Sequence, residues 1–304
     1  MADRITFLFF HYGKVPRYLS HAIEHVRIFN PNAEIILITD GIKDVKSLRQ
    51  FRINHHDISD FPSSELEEFR KSYRHISCFN ERYERFVLER WFITETIRRQ
   101  SPKRVYIMID SDVAVFGDAS TLLKYLPDCP IALSGNNPHF TFVRGSISSY
   151  LQFILEFYKD EGRLFSSRQL HEAGKKTAQI YNLGEMTFLY EFMIQSSDMQ
   201  TYPTDTPIGY VDVNIHIPES FESLKLRRRP RKRVYWKTDG EYHIPYFLRN
   251  STLVRSFLLH FQGPGKRVFF RFNKANGSKI LLKAPLLNLI FTRSLSRLPN
   301  HLAI

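Results

Sequence analysis

The sequence predicts an α/β fold: a mixed, mostly parallel sheet flanked by helices, in one large domain with a basic C-terminal tail. Three observations carry this reading. An apolar run at residues 5–10 has the character of a buried strand. It is followed by a stretch in which Leu19, Ala22, Ile23 and Val26 recur at i, i+3, i+4 and i+7, the stripe of a helix packed on a core. A second apolar run at residues 33–39 closes on Asp40, and a third at residues 104–109 closes on Asp110. Strand, helix and strand in alternation point to parallel pairing with crossover helices.

The remaining elements follow from local pattern. Residues 57–80 are polar and mixed, a loop holding a short helix, and residues 81–99 form one long helix. A helix is expected near residues 119–126 and a short strand at 131–134. Ile147, Leu151, Ile154 and Tyr158 stripe a further helix, and residues 182–192 begin another. Residues 233–247 read as a hairpin turning at Asp239-Gly240, and the next strand ends in His260 before a glycine-bearing loop.

Composition narrows the class. With 304 residues, 43% hydrophobic and 14% aromatic, the chain holds enough apolar mass for a real core and is not disordered. No apolar run approaches the ~18 residues that span a bilayer, and the charged start leads straight into a strand pattern, so no signal peptide is expected. Cys78 and Cys129 lack metal-type spacing and read as reduced thiols of a cytoplasmic protein. The net charge is +12, and after Glu241 no Asp or Glu occurs among 63 residues that carry ten Lys and Arg. Together with "KLRRRPRKR" at residues 225–233, this favours an anionic partner such as a membrane surface, or simply a basic, solubilising face. Residues 283–298 are apolar and basic, so they either lie on a bilayer surface or pack on the domain.

Two constellations carry chemistry. Asp110 and Asp112 sit at i and i+2 just past an apolar strand, where side chains share a face and where open α/β sheets gather ligands. Their oxygens suit Mn²⁺ or Mg²⁺, which in turn bridge phosphates. The other reading of this pair is a turn with helix-capping acids. Late in the chain, "HFQGPGK" offers His260 as an imidazole ligand, Gly263 and Gly265 for close backbone approach, and Lys266 as a point charge for phosphate. Arg90 falls on the apolar side of its helix with Phe86 and Val87, so it needs either a core acid such as Asp40 or a bound diphosphate.

The order of these motifs resembles the GT-A (Rossmann-like) glycosyltransferases, and within them the retaining enzymes of family eight and their bacterial relatives. Asp110 and Asp112 match the family's D-x-D, and His260, Gly263 and Lys266 match its late His-x-x-Gly-x-x-Lys, across roughly residues 4–270. The resemblance implies a catalytic domain at residues 1–265, with a nucleotide-binding half (1–118) and an acceptor-side half (119–265), followed by the tail at 266–304. It implies Mn²⁺ or Mg²⁺ held by Asp110, Asp112 and His260, and a nucleotide-diphosphate sugar, UDP-linked by preference, contacted by His11, Tyr12, Arg90, Asp110, Ser111, His139, Gly263 and Lys266. Lys266 and Glu185 then serve catalysis, although a helix-start acid is an equal reading of Glu185. The acceptor is expected to be a glycan or a lipid-linked sugar, and the location cytoplasmic, with peripheral contact at the inner membrane face as the expectation for the basic tail. The family's Lys-Pro-Trp is Lys266-Arg267-Val268 here, and its Phe-Asn-x-Gly has no clean counterpart, with residues 134–142 as the replacement.

Rival readings are weaker. A haloacid-dehalogenase-type phosphatase needs a later Gly-Asp-x-x-x-Asp that is missing, and a sugar-nucleotide nucleotidyltransferase needs a glycine-rich loop after the first strand. The basic run beside Tyr235 and Trp236 leaves a non-enzymatic nucleic-acid-binding protein open, but no nucleic-acid module is visible and no nucleic-acid partner is expected.

Overall fold

The computed structural model describes residues 4–42, 45–101, 104–177, 181–226, 229–239, 242–263 and 266. Apart from Lys266, the basic tail lies outside them, as do Gly240 of the expected hairpin turn and Gly265. The chain runs β1 (Arg4–His11), α1 (Arg17–Phe29), β2 (Glu34–Thr39), β3 (Asn54–Asp57), α2 (Ser64–Ser72), α3 (Glu81–Gln100), β4 (Arg104–Ile109), β5 (Val113–Val115), β6 (Ile131–Ser134) and β7 (Asn137–Val143). It continues with α4 (Ser148–Lys159), α5 (Glu161–Thr177), α6 (Glu185–Gln195), β8 (Met199–Tyr202), β9 (Asp205–Thr206), β10 (Gly209–Val211), β11 (Ser223–Leu226), β12 (Arg229–Lys232), β13 (Val234–Asp239), β14 (Tyr242–Arg249) and β15 (Thr252–His260).

Two compact units emerge. The first comprises residues 1–15, 33–110 and 126–202. Its sheet has seven strands in the order β3-β2-β1-β4-β7-β6-β8. The pairs β3–β2, β2–β1, β1–β4 and β6–β8 are parallel, while β7 runs antiparallel to both β4 and β6. This is the mixed, mostly parallel sheet expected from the sequence. One sheet face, with Leu8, Phe10, Ile36, Ile38, Tyr106 and Met108, packs in a single apolar cluster with residues of α2 through α6, Trp91 and Phe188 among them.

The second unit comprises residues 16–32, 111–125 and 203–304. It holds α1 and a sheet in which β13, β14, β15, β10 and β9 follow one another and β5 pairs with β15. The predicted stripe of α1 is buried throughout: Leu19, Ala22, Ile23 and Val26 have no exposed surface. Asn30 closes this helix, its amide donating to the Gly117 carbonyl at 3.2 Å and its oxygen accepting from Ala119 N–H at 2.8 Å. Residues 119–125, expected as an α-helix, form a 3₁₀ segment instead. The hairpin of β13 and β14 forms as predicted, with Val234 opposite Phe247 and Asp239 opposite Tyr242.

Candidate metal and phosphate site

The two acids lie where the chain passes from one unit to the other, at the peptide between Asp110 and Ser111. In the first unit, the end of β4 is pinned by its antiparallel neighbour, because Asp110 N–H donates to the His139 carbonyl at 2.9 Å. His139 itself is fully buried in β7, where its ring Nδ1 meets the Asn137 side-chain oxygen at 3.0 Å. The Asp110 carboxylate is partly open and accepts from Arg90 at 2.8 Å.

Arg90 is 5% exposed and also donates twice to Glu185, with Nε to Oε1 at 2.7 Å and Nη2 to Oε2 at 2.6 Å. Trp91 Nε1 adds a third donor to Glu185, also at 2.6 Å. Burial works against the guanidinium charge, but Glu185 and Asp110 more than reverse that and raise its pKa further. Asp40, the core acid considered for Arg90, pairs with Arg82 instead, at 2.9 Å. Glu185 does stand at the first position of α6, after an N-cap Gly184 that offers no side-chain cap. Close by, a Cβ on Gly184 would run into Glu84 Oε2, and burial together with Glu185 pushes the Glu84 carboxyl up to about 7.

Farther along the same unit, His11 at the end of β1 bonds through Nε2 to the Lys14 carbonyl at 3.1 Å. Tyr12 lies against Tyr83 and Phe86, with the Arg82 guanidinium 5.7 Å from its ring centre.

The second unit explains how residues 148 positions apart come together. β5 and the end of β15 pair antiparallel, setting His260 opposite Val113, the residue after Asp112. Phe261 N–H then donates to the Asp112 carbonyl at 2.9 Å. The His260 ring is held by Nδ1, 2.6 Å from the Val213 carbonyl. A carbonyl only accepts, so Nδ1 carries a proton, and in the neutral ring Nε2 is the nitrogen with the lone pair. That lone-pair nitrogen lies 3.6 Å from Asp112 Oδ1. Lys266 places Nζ 3.1 Å from Asp112 Oδ2 and 5.4 Å from the centre of the Tyr18 ring. Ser111 hydrogen-bonds with the Tyr18 hydroxyl, whose pKa burial raises against the pull of Lys266. Gly263 turns the chain after β15 at φ +58°, a conformation that favours glycine.

Asp110, Asp112 and His260 each offer one ligand atom, and these atoms lie within 4.8 Å of one another. Two carboxylates and an imidazole whose neutral form offers Nε2 fit a hard-to-borderline divalent ion such as Mn²⁺ or Mg²⁺. Among the residues that hold the site, sequence reasoning missed Val213, Asp212 and Lys232. An acid in the apolar stretch "YVDVN" was the available signal for Asp212, whereas Lys232 was concealed within a run of exposed-looking bases.

No family model matches the chain, and no curated protein is similar to it. Among solved structures it is similar to mouse xyloside xylosyltransferase 1, with 10% identity and a TM-score of 0.38, covering 66% of this chain and 84% of that one. It is also similar to the glycosyltransferase GlyE of Streptococcus pneumoniae TIGR4, at 15% identity and a TM-score of 0.34, of which it spans 45% while 66% of this chain is matched. The galactosyltransferase LgtC, in complex with donor and acceptor sugar analogs, gives 11% identity, a TM-score of 0.40, and coverage of 87% of this chain and 93% of that one. Likenesses this distant leave function to be argued from the site itself.

Proposed function

We propose that the chain is a metal-dependent glycosyltransferase of the GT-A type, moving a sugar from a nucleotide-diphosphate donor, UDP-linked by preference, to a hydroxyl of a glycan or lipid-linked acceptor. The observation that carries this reading is the cluster of Asp110, Asp112 and His260, in which the imidazole tautomer suits a metal. Mn²⁺ or Mg²⁺ held there would shield the diphosphate charge that grows as the glycosidic bond breaks.

The chain's own groups have separable tasks. Lys266 supplies a mobile positive charge beside Asp112 for the leaving phosphate. Arg90, held by Glu185 and Asp110, fixes the direction of the Asp110 carboxylate, and Glu185 in turn fixes Arg90. His11 and Tyr12 are proposed to line the nucleoside, with Ser111, His139 and Gly263 shaping the donor site by side chain or backbone. Retention of configuration follows from the resemblance to family eight. None of the described helices is long and apolar enough to cross a membrane. Contact of the basic tail with an anionic membrane surface is a proposal that vesicle co-sedimentation of the whole chain would test.

The test of the main reading is calorimetric binding of UDP and GDP, each with and without Mn²⁺, to the wild type and to Asp112→Asn. Manganese-dependent binding of one nucleotide, lost in the variant, is the expected result and names the base. Nucleotide binding that ignores both Mn²⁺ and the substitution would overturn the metal reading.

A further inference from the structure

The fully buried ion pair of the second unit asks for an explanation. Lys232 and Asp212 both have side chains with no exposed surface, and Nζ lies 2.7 Å from Asp212 Oδ1. Removing two charges from water costs several kcal/mol per ion, so apolar side chains of similar size would serve packing as well or better. The ammonium also reaches the Tyr210 hydroxyl and the Asn214 carbonyl, each at 3.3 Å. Around it stand the rings of Tyr210, Phe221 and Phe247, with centres 5.0 to 5.7 Å away.

The other end of the pair touches the site. Asp212 Oδ2 accepts from the backbone N–H of His260 at 3.1 Å. The neighbouring Val213 carbonyl takes the His260 ring N–H, and Ile215 N–H donates to the His260 carbonyl at 3.2 Å. Three consecutive polar groups of His260 thus end on residues 212–215. Lys232 grips that same segment twice more, by its ammonium on Asn214 and by its own backbone N–H on the Ile215 carbonyl at 2.9 Å.

We propose that Lys232 and Asp212 are positioning residues that clamp residues 212–215 and thereby aim His260 Nε2 at the metal position. This inference rests on the metal reading above. It also gives one member of the basic run a task, since Lys232 belongs to the interior and not to a surface loop.

The test compares wild type, the apolar double variant Lys232→Met/Asp212→Leu and the isosteric Asp212→Asn, using thermal melting and Mn²⁺ binding measured by electron paramagnetic resonance in the presence of UDP. The double variant removes both charges together and strands only the His260 N–H, so it is expected to melt above Asp212→Asn, which leaves Lys232 buried without its counter-charge. Its Mn²⁺ affinity is expected to fall 10- to 100-fold, the usual effect of losing a ligand's outer support. Asp212→Asn keeps an acceptor for His260 N–H and is expected to fall less. Wild-type affinity in the folded double variant overturns the clamp. Should that variant fail to fold, wild-type affinity in Asp212→Asn overturns it instead. A wild type that binds no Mn²⁺ with UDP overturns the metal reading, and the clamp falls with it.

Discussion

Replacing Arg90 by Met probes the polar centre of the first unit. The side chain donates twice to Glu185, at 2.7 and 2.6 Å, and once to Asp110 at 2.8 Å. Met retains most of the volume, so the perturbation is chiefly electrostatic. Glu185, 8% exposed, would keep Trp91 Nε1 and lose its cation. Stranding one partner of a buried pair costs about 3–5 kcal/mol, a large part of a domain stability of about 5–15 kcal/mol. Urea unfolding followed by tryptophan fluorescence should show the midpoint drop by about 1 M or more, because slopes in urea are typically ~1–3 kcal/mol/M. Adding Glu185→Leu removes the orphaned charge and should recover a good part of the loss, giving a coupling of about 2 kcal/mol or more between the two positions. A loss below about 1 kcal/mol for Arg90→Met, or additive effects in the double variant, would mean that water reaches Glu185 and that its pairing with Arg90 is not the buried contact described above.

Glu84 should make stability fall as pH rises. Its folded pKa of about 7 lies above the ordinary carboxyl value of 4.5, so the folded state holds the extra proton between those two values. Up to about 3 kcal/mol is lost between pH 4.5 and 8, and Glu84→Gln should flatten that slope in urea titrations at several pH values, whereas an unchanged slope would assign it to other groups. Gly117→Ala would set a Cβ 2.5 Å from the Phe257 ring, costing about 1–3 kcal/mol in a thermal melt. Phe257→Leu on that background should relieve part of the loss, and an unperturbed melt of the single variant would refute the close packing. Lys266→Met should weaken UDP binding with Mn²⁺ about tenfold or more while leaving the melting curve within about 0.5 kcal/mol of wild type, since the group is half open and gains little from its pair.

β1, β2, β4 and the long helix were legible because their apolar patterns leave little choice, whereas the short β3 and β8, with sequences NHHD and MQTY, carry no such run. β7 was not, because Asn137 and Pro138 open it and Pro argues against a central strand; here it occupies the first positions, where the missing N–H does least harm. α5 escaped notice for a different reason: the residues it buries are Leu164, Ser167, His171 and Gly174, which have helical spacing but no common hydrophobicity. At the site, the D-x-D and the late His-x-x-Gly-x-x-Lys were visible as residue types in order. Their convergence came only through the family resemblance, since in the fold it depends on which strand lies beside β5. The environment of Arg90 was half legible. A cation on an apolar helix stripe required partners, but only the fold could replace Asp40 by Glu185 and Asp110. Lys232 was the least readable, because composition treats every base in "KLRRRPRKR" alike while the fold places one of them inside.

The β5–β15 pairing also fixes when the site can exist. At synthesis rates of about 5–20 residues per second, His260 emerges roughly 7–30 s after Asp112. Until then β5 lacks the strand that closes its open edge, and the first unit has already left the ribosome with every one of its seven strands made. On the metal reading proposed above, metal affinity would report the joining of β15 to β5, and a nascent chain halted before residue 252 would carry every strand of the first sheet without His260.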